Sequence, residues 1–303
     1  MSNSSSISQF ADTRQLQLSH FWLFLAIHLA ALLGNSLIIT TIAWYHHLHT
    51  PMYFFLLNLS VLDQNSISTT VPKAMASFLW DNRSISYSGC AAQLFFFLLL
   101  ISAEYSVLIV MAYDRYVAIC QPLHYGTLLG SRACAHMAAA AWASAFLCAL
   151  PHTINTFSVP LCQGNAVGQF FCEIPHILKL SCSLSDYLRE VGLLVLCSCL
   201  TFGCFVLMVV SYVGIFRAVL MIPSQQGPHK AFSTCLPHLA DVSLFLSTPI
   251  FANLKPSSMS SPFLDLQVSV LYSVVPPAVN LLIYSLRNQE LKDALRKFMN
   301  FSY

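Results

Sequence analysis

Charge is what this sequence has least of. Only 9 % of its 303 residues are Asp, Glu, Lys or Arg, while 56 % are hydrophobic. A chain of this length could form two soluble domains, but not with that composition, so its solvent is lipid. Lys and Arg number 14 against 12 Asp and Glu, which leaves no basic surface for nucleic acid. The 11 histidines are scattered without metal-ligand spacing, so no zinc motif is legible. A cleavable leader is also missing. Residues 1–20 lack an apolar core, and the first apolar run, Phe21 to Tyr45, is long enough to span a membrane and is expected to stay as a signal anchor. No internal repeat is evident, which argues against a transporter built from paired halves.

What is present is a series of apolar runs separated by short polar breaks. The first is Phe21 to Tyr45, the second Met52 to Leu79, and the third begins near Cys90. From Ser84 to Tyr113 the sole formal charge is Glu104, and then Asp114 and Arg115 arrive together. An arginine cannot lose its charge. At a helix end it either pairs with Asp114 or reaches for another partner, which makes a two-state element. The uncharged stretch from Ala133 to Cys172 is too long for one helix, so a fourth span must end between Pro151 and Pro160 and an outer loop must follow. A fifth span runs from Tyr187 to Leu220, a sixth starts near Lys230, and a seventh covers Leu264 to Leu286.

Polar groups inside these runs are costly and therefore informative. Asn35 in the first run needs a hydrogen-bond partner, either on a neighbouring helix or on its own backbone. Asp63 and Glu104 sit at membrane depth and mark an ion or proton site, or else two acids held neutral by burial. From Phe95 to Ser102 there is no acid, so Phe97, Leu98 and Ile101 offer apolar surface and Ser102 one hydroxyl. A cationic ligand would lack a counter-charge there. The seventh run has no lysine, which excludes a Schiff base.

Cys90 and the loop residues Cys162, Cys172 and Cys182 fall on one side of the membrane. If that side is oxidising they form disulfides, with three pairings open. Such bonds would consume the thiols that His176 would need for a metal site. Asn3-Ser4-Ser5 is a glycosylation sequon on the same side. Assigning Arg115, Arg132, Arg217, Lys230, Arg287, Lys292, Arg296 and Lys297 to the inner side, against six other basic residues, gives a slight positive-inside bias. Leu291, Leu295, Phe298 and Met299 share one face of the last segment, as in a helix lying on the inner leaflet.

MAYDRYVAIC (111–120) followed by Gln121-Pro122-Leu123-His124-Tyr125 strongly resembles the third-helix end of olfactory receptors, within the rhodopsin-like G protein-coupled receptors. Pro51-Met52-Tyr53-Phe54-Phe55-Leu56, Ser211-Tyr212 and Lys230-Ala231-Phe232-Ser233-Thr234-Cys235 are similar to the same family's second, fifth and sixth helices. The resemblance implies an all-α membrane protein, a seven-transmembrane helix bundle with a short amphipathic C-terminal helix. Its parts are an extracellular tail (1–20), a receptor domain (21–287) and a cytoplasmic helix and tail (288–303). It implies a plasma-membrane receptor, not an enzyme, with an outer N-terminus and an inner C-terminus.

The implied partners are a small volatile odorant and a stimulatory heterotrimeric G protein that raises cyclic AMP. Implied ligand residues are Phe97, Leu98, Ile101, Ser102, Leu196, Leu200, Pro249 and Asn253. The implied activation switch comprises Asp114, Arg115, Tyr116, Tyr212, His238, Asn280 and Tyr284, with Tyr212 a candidate partner for Arg115, and this chain's own Asp241 is expected to join it. Asn35, Asp63 and Glu104 correspond to an internal sodium site, the only ion implied. The family's loop pattern Phe170-Phe171-Cys172-Glu173 favours Cys90 with Cys172, leaving Cys162 with Cys182. Three departures stand out, the first being Leu246-Ser247 in place of a tyrosine-glycine pair. Asp241 replaces an apolar residue and is expected to pair with His238 or reach Asn280, and Leu281 replaces a kinking proline. A rival from another class is a small-solute transporter using Asp63, Glu104 and Asp241 as an ion path.

Overall fold

The computed structural model describes residues 3–80, 86–158, 184–221, 289–301 and, within 235–246, all but 237 and 244. Helix α1 covers Asn3–Trp44, α2 Pro51–Trp80, α3 Tyr87–Cys120, α4 Tyr125–Leu128, α5 Ser131–Ser158, α6 Leu184–Leu220 and α7 Gln289–Phe301. The described residues within 235–246 are also helical. Among the described residues four stretches are long and apolar enough to cross a membrane: Phe21–Trp44, Tyr87–Cys120, Ser131–Ser158 and Leu188–Leu220. This is an all-helical fold with several membrane spans.

The first helix starts eighteen residues before the apolar run, at Asn3 rather than at Phe21. No Gly or Pro occurs before Gly34, so nothing in the polar segment interrupts the helix. Elsewhere the punctuation works. Pro51 opens α2, where its missing N–H costs nothing. Ser86 caps α3 by accepting the Gly89 N–H at 3.2 Å. The chain then leaves α3 through a 3-10 turn at Pro122–His124.

Helix α2 is not among these four stretches. Its middle, Asp63 to Thr70, is polar, and in lipid each such group needs an internal partner. Asn65, Ser68, Thr69 and Thr70 bond the carbonyls of Val61, Gln64, Asn65 and Ser66 in their own helix, at 2.7 to 3.1 Å. Gln64 instead donates to the Ser36 hydroxyl of α1 at 2.8 Å.

The core lies around α3, which packs against α2, α4, α5 and α6. Its inward residues include Leu100, Ala103, Val107, Leu108, Met111, Ala112 and Val117, all buried. Helix α6 behaves in the opposite way. It buries Glu190, Met208, Tyr212, Ile215 and Val219 and exposes Leu194, Val195, Leu196, Leu200, Phe202, Val209 and Val210. Exposed leucine and valine at that density mark a lipid-facing surface. Helix α7 lays Leu291, Ala294 and Leu295 into the main core and contacts α1, and Tyr53 of α2 donates to Glu290 at 3.0 Å. Part of the face expected to lie on the leaflet is therefore packed on the protein, while Arg296 and Lys297 stay exposed.

Close approach of α3 and α6 depends on Gly214. A Cβ there would lie 2.8 Å from a ring carbon of Tyr116. Gly214→Leu is expected to lower the thermal unfolding midpoint of detergent-purified protein, an overpacking cost of about 1–3 kcal/mol. An unchanged midpoint would show that the Tyr116 ring gives way freely.

Candidate functional site

Three polar constellations sit inside the bundle. At the end of α3, the Asp114 carboxylate is buried and carries two partners. Arg115 lies 3.7 Å from Oδ2, and the Tyr125 hydroxyl donates to Oδ1 at 2.8 Å. Tyr125 comes from α4, brought back by the Pro122–His124 turn. Burial, and after it the charge and hydrogen bond of Asp114, hold the Tyr125 phenol well above the usual tyrosine range, so it remains a donor.

The second constellation joins α3, α6 and the 235–246 helix. Tyr212 meets His238 Nδ1, and His238 Nε2 meets the Leu108 carbonyl at 2.9 Å. A carbonyl only accepts, so Nε2 carries the proton and Nδ1 accepts from the Tyr212 hydroxyl. The Arg115 charge reaches both Tyr212 and His238. Tyr212 and His238 thus form one hydrogen-bonded unit within reach of the Arg115 charge. This corrects the expectation for His238 and Asp241: both ring nitrogens are engaged, so the ring has none to offer Asp241. The i, i+3 spacing placed the two on one helix face, but neighbouring helices supplied better partners.

Asp241 belongs to a third group instead. Glu104 of α3 is 6 % exposed, Asp63 of α2 and Asp241 are 0 % exposed, and the charges of both aspartates act on Glu104. Glu104 Oε1 accepts no hydrogen bond among the described residues. Three acids gathered in a dry interior need either protons or a cation among them. Asn35, also fully buried, turns its amide nitrogen to its own helix, donating to Ala31 O at 3.0 Å.

Nearer the other end of α3, Phe97, Leu98, Ile101 and Ser102 are half-buried. Leu98 and Phe157 of α5 both pack on the buried Leu94, and Ser102 reaches the Cys148 thiol of α5. Leu196 and Leu200 are placed elsewhere. They are 56 % and 63 % exposed, and Leu196 lines an outward groove of about 530 Å³ between α5 and α6. The stripe of α6 that packs inward runs through Glu190, Met208, Tyr212, Ile215 and Val219, at helical spacing. A helix apolar on all sides gives no sign of which leucines lie off that stripe, which is why the expectation for these two residues is revised. Pro249, Asn253, Asn280, Leu281, Tyr284, Cys162, Cys172 and Cys182 lie outside the described residues. Cys90 is disulfide-bonded.

One pairing escaped sequence reasoning. His152 of α5 meets Glu190 Oε1 of α6 at 2.6 Å, and Asn155 donates to the other oxygen of Glu190. The partners are 38 and 35 positions apart, too far for any local pattern to register.

The family profile described as olfactory receptor matches residues 24–301. Olfactory receptor 14J1 of Homo sapiens is 48 % identical over 96 % of this chain and 90 % of its own length. For human olfactory receptor 14I1 the figures are 49 %, 95 % and 93 %, and for olfactory receptor 1G1 of Gorilla gorilla gorilla 43 %, 98 % and 96 %. The chain belongs to the olfactory receptor family. It is accordingly a multi-pass G protein-coupled receptor that senses odorants, a signal transducer and not an enzyme. Relatives matching along nearly the whole chain, together with the membrane-spanning helices, leave no place for the transporter reading.

In this olfactory receptor the Tyr125 hydroxyl is a hydrogen-bond donor to a buried carboxylate, and its removal leaves Asp114 with Arg115 alone. Tyr125→Phe is expected to destabilise the purified receptor by about 1–2 kcal/mol, read as a lower midpoint in thermal unfolding. Tyr113→Phe, at an exposed position, serves as the control and should leave the midpoint in place.

Proposed function

We propose that this receptor binds a small, mostly apolar volatile molecule in the outer half of a seven-span bundle and activates a stimulatory, olfactory-type heterotrimeric G protein, raising cyclic AMP. The observation that carries the reading is the placement of Arg115, paired with Asp114 and with its charge reaching Tyr212. Two partners on two helices give the cation two positions. Odorant binding favours the state in which Arg115 leaves Asp114 for Tyr212 and the sixth span moves outward, opening an inner cavity for the G protein. Tyr116 against Gly214 and His238 on Tyr212 transmit the change between α3, α6 and the sixth span. Asn280 and Tyr284 complete the switch from the seventh span.

Phe97, Leu98, Ile101 and Ser102 form the helix 3 wall of the ligand cavity, with Pro249 and Asn253 opposite. The absence of an acid between Phe95 and Ser102 selects neutral ligands. In the resting state a sodium ion sits among Asp63, Glu104 and Asp241, with Asn35 beside them. Three buried carboxylates offer the hard oxygen donors and the negative charge such a cation requires. The N-terminus is extracellular, with glycan on Asn3, and the C-terminus is in the cytoplasm of a cell whose plasma membrane holds the receptor. Cys90 pairs with Cys172 and Cys162 with Cys182, in the oxidising space outside.

Cyclic AMP recorded against a broad odorant panel, with surface expression measured in parallel, tests this. A response in the native chain that disappears in Arg115→Ala at equal surface level is the expected result. Silence in the native chain but a response in Leu281→Pro would place the limit on coupling in the seventh span, and silence in both would reject the reading for that panel. Asp241→Val should shift basal cyclic AMP, because it removes one of three charges that hold the resting-state cation. Unchanged basal signalling at unchanged expression would remove Asp241 from the switch.

A further inference from the structure

Two thiols and an imidazole converge where α5 and α6 meet. Cys148 and His152 are four residues apart on α5 and so share a face. Cys197 approaches from α6. Its Sγ lies 3.6 Å from Cys148 Sγ and 3.4 Å from His152 Nε2. All three ligand atoms fall within 4.8 Å of one another. In a tetrahedral zinc site, bonds of about 2.3 Å to sulfur and 2.0–2.1 Å to nitrogen put neighbouring sulfurs about 3.8 Å apart and sulfur about 3.5 Å from nitrogen. The two separations that involve Cys197 match these to within a few tenths of an ångström.

The imidazole is also held as a ligand should be. His152 Nδ1 donates to Glu190 Oε1 at 2.6 Å, which leaves Nε2, facing the Cys197 thiol at 3.4 Å, as the nitrogen that binds a metal in the neutral ring. Glu190 is fully buried, and its second oxygen takes the Asn155 amide. A carboxylate behind a histidine fixes the ring's orientation and raises its basicity. Cys148 and Cys197 carry free thiols.

We propose that Cys148, His152 and Cys197 form a binding site for a closed-shell thiophilic cation, Zn²⁺ or Cu(I), with Glu190 positioning the imidazole and a fourth coordination place open. Sulfur donors with one imidazole suit these ions and disfavour Mg²⁺ and Ca²⁺. Binding Zn²⁺ releases the two thiol protons to solvent and ties α5 to α6. The site is independent of which odorant the receptor takes. Ser102 touches the Cys148 thiol, so an occupied site would border the proposed ligand cavity.

The test uses the full-length receptor, purified in detergent with its thiols reduced and counted, and titrated with Co²⁺ as a spectroscopic substitute for Zn²⁺. One equivalent should bring thiolate-to-cobalt charge-transfer absorption and the visible bands of a tetrahedral ion, and Zn²⁺ should abolish both. Competition with a chromophoric Cu(I) chelator measures the other ion. Cys148→Ser and Cys197→Ser should each lose the charge-transfer band while keeping the native unfolding midpoint. Glu190→Gln should keep the band but bind about 10–100-fold more weakly, whereas Cys199→Ser, at an exposed thiol, should match the native chain. A fully reduced native receptor that gives no cobalt band and no Cu(I) competition overturns the proposal. So does a band that survives in the Cys148→Ser, Cys197→Ser double variant.

Discussion

The constraint on which the structure depends is the absence of water inside the membrane. A polar group there has only the protein to bond with, and an unmet one costs several kcal/mol. Each polar side chain in the spans is therefore a statement about the helix beside it, or about its own backbone. Gln64 fixes α2 against Ser36 of α1, Tyr105 reaches the Thr201 carbonyl of α6 at 2.8 Å, and Tyr87 reaches the Phe157 carbonyl of α5 at 2.6 Å. These few directional bonds give register to surfaces that are otherwise greasy and interchangeable.

Sensing is built into the same economy of partners. Asp114 is held from two directions, by Arg115 and by Tyr125, while His238 uses one ring nitrogen for α6 and the other for the α3 backbone. Glu104, Asp63 and Asp241 gather buried acidic charge in the same bundle. A bundle arranged in this way has satisfied groups at its switch and charge crowding next to it, and small changes in helix position exchange one for the other.

Much of the fold was legible in the sequence because its boundaries are written in charge and proline. Pro51, the Asp114-Arg115 pair followed by Pro122, and the end of α6 at Leu220 all fall where the apolar runs suggested. Among the described helices α1 outran its apolar segment furthest, by eighteen residues, since nothing in the tail opposes a helix. Faces were harder to read. In Leu193 to Val210 nearly every residue is apolar, and the orientation of Leu196 and Leu200 is decided by packing partners that no periodicity reveals. Asp241 and His238 looked like a pair because local spacing was the only information at hand. Tyr212, 26 positions away, had the stronger claim. The His152-Glu190 bond and the thiols beside it were invisible for the same reason, as they connect helices whose relative rotation is a tertiary result.

The self-bonded middle of α2 bears on how the chain enters the membrane at all. Four of its side chains spend their hydrogen bonds on their own carbonyls, yet Asp63 and Gln64 cannot be treated in this manner. As a lone segment leaving the ribosome, α2 would partition poorly into lipid. With α1 already inserted, the Ser36 hydroxyl and the apolar flank of the first helix are waiting for it. The two helices and the short turn at His46–Leu48 between them thus form a hairpin that is best threaded through the insertion machinery as one unit, and α1 acts in effect as a chaperone carried on the same chain.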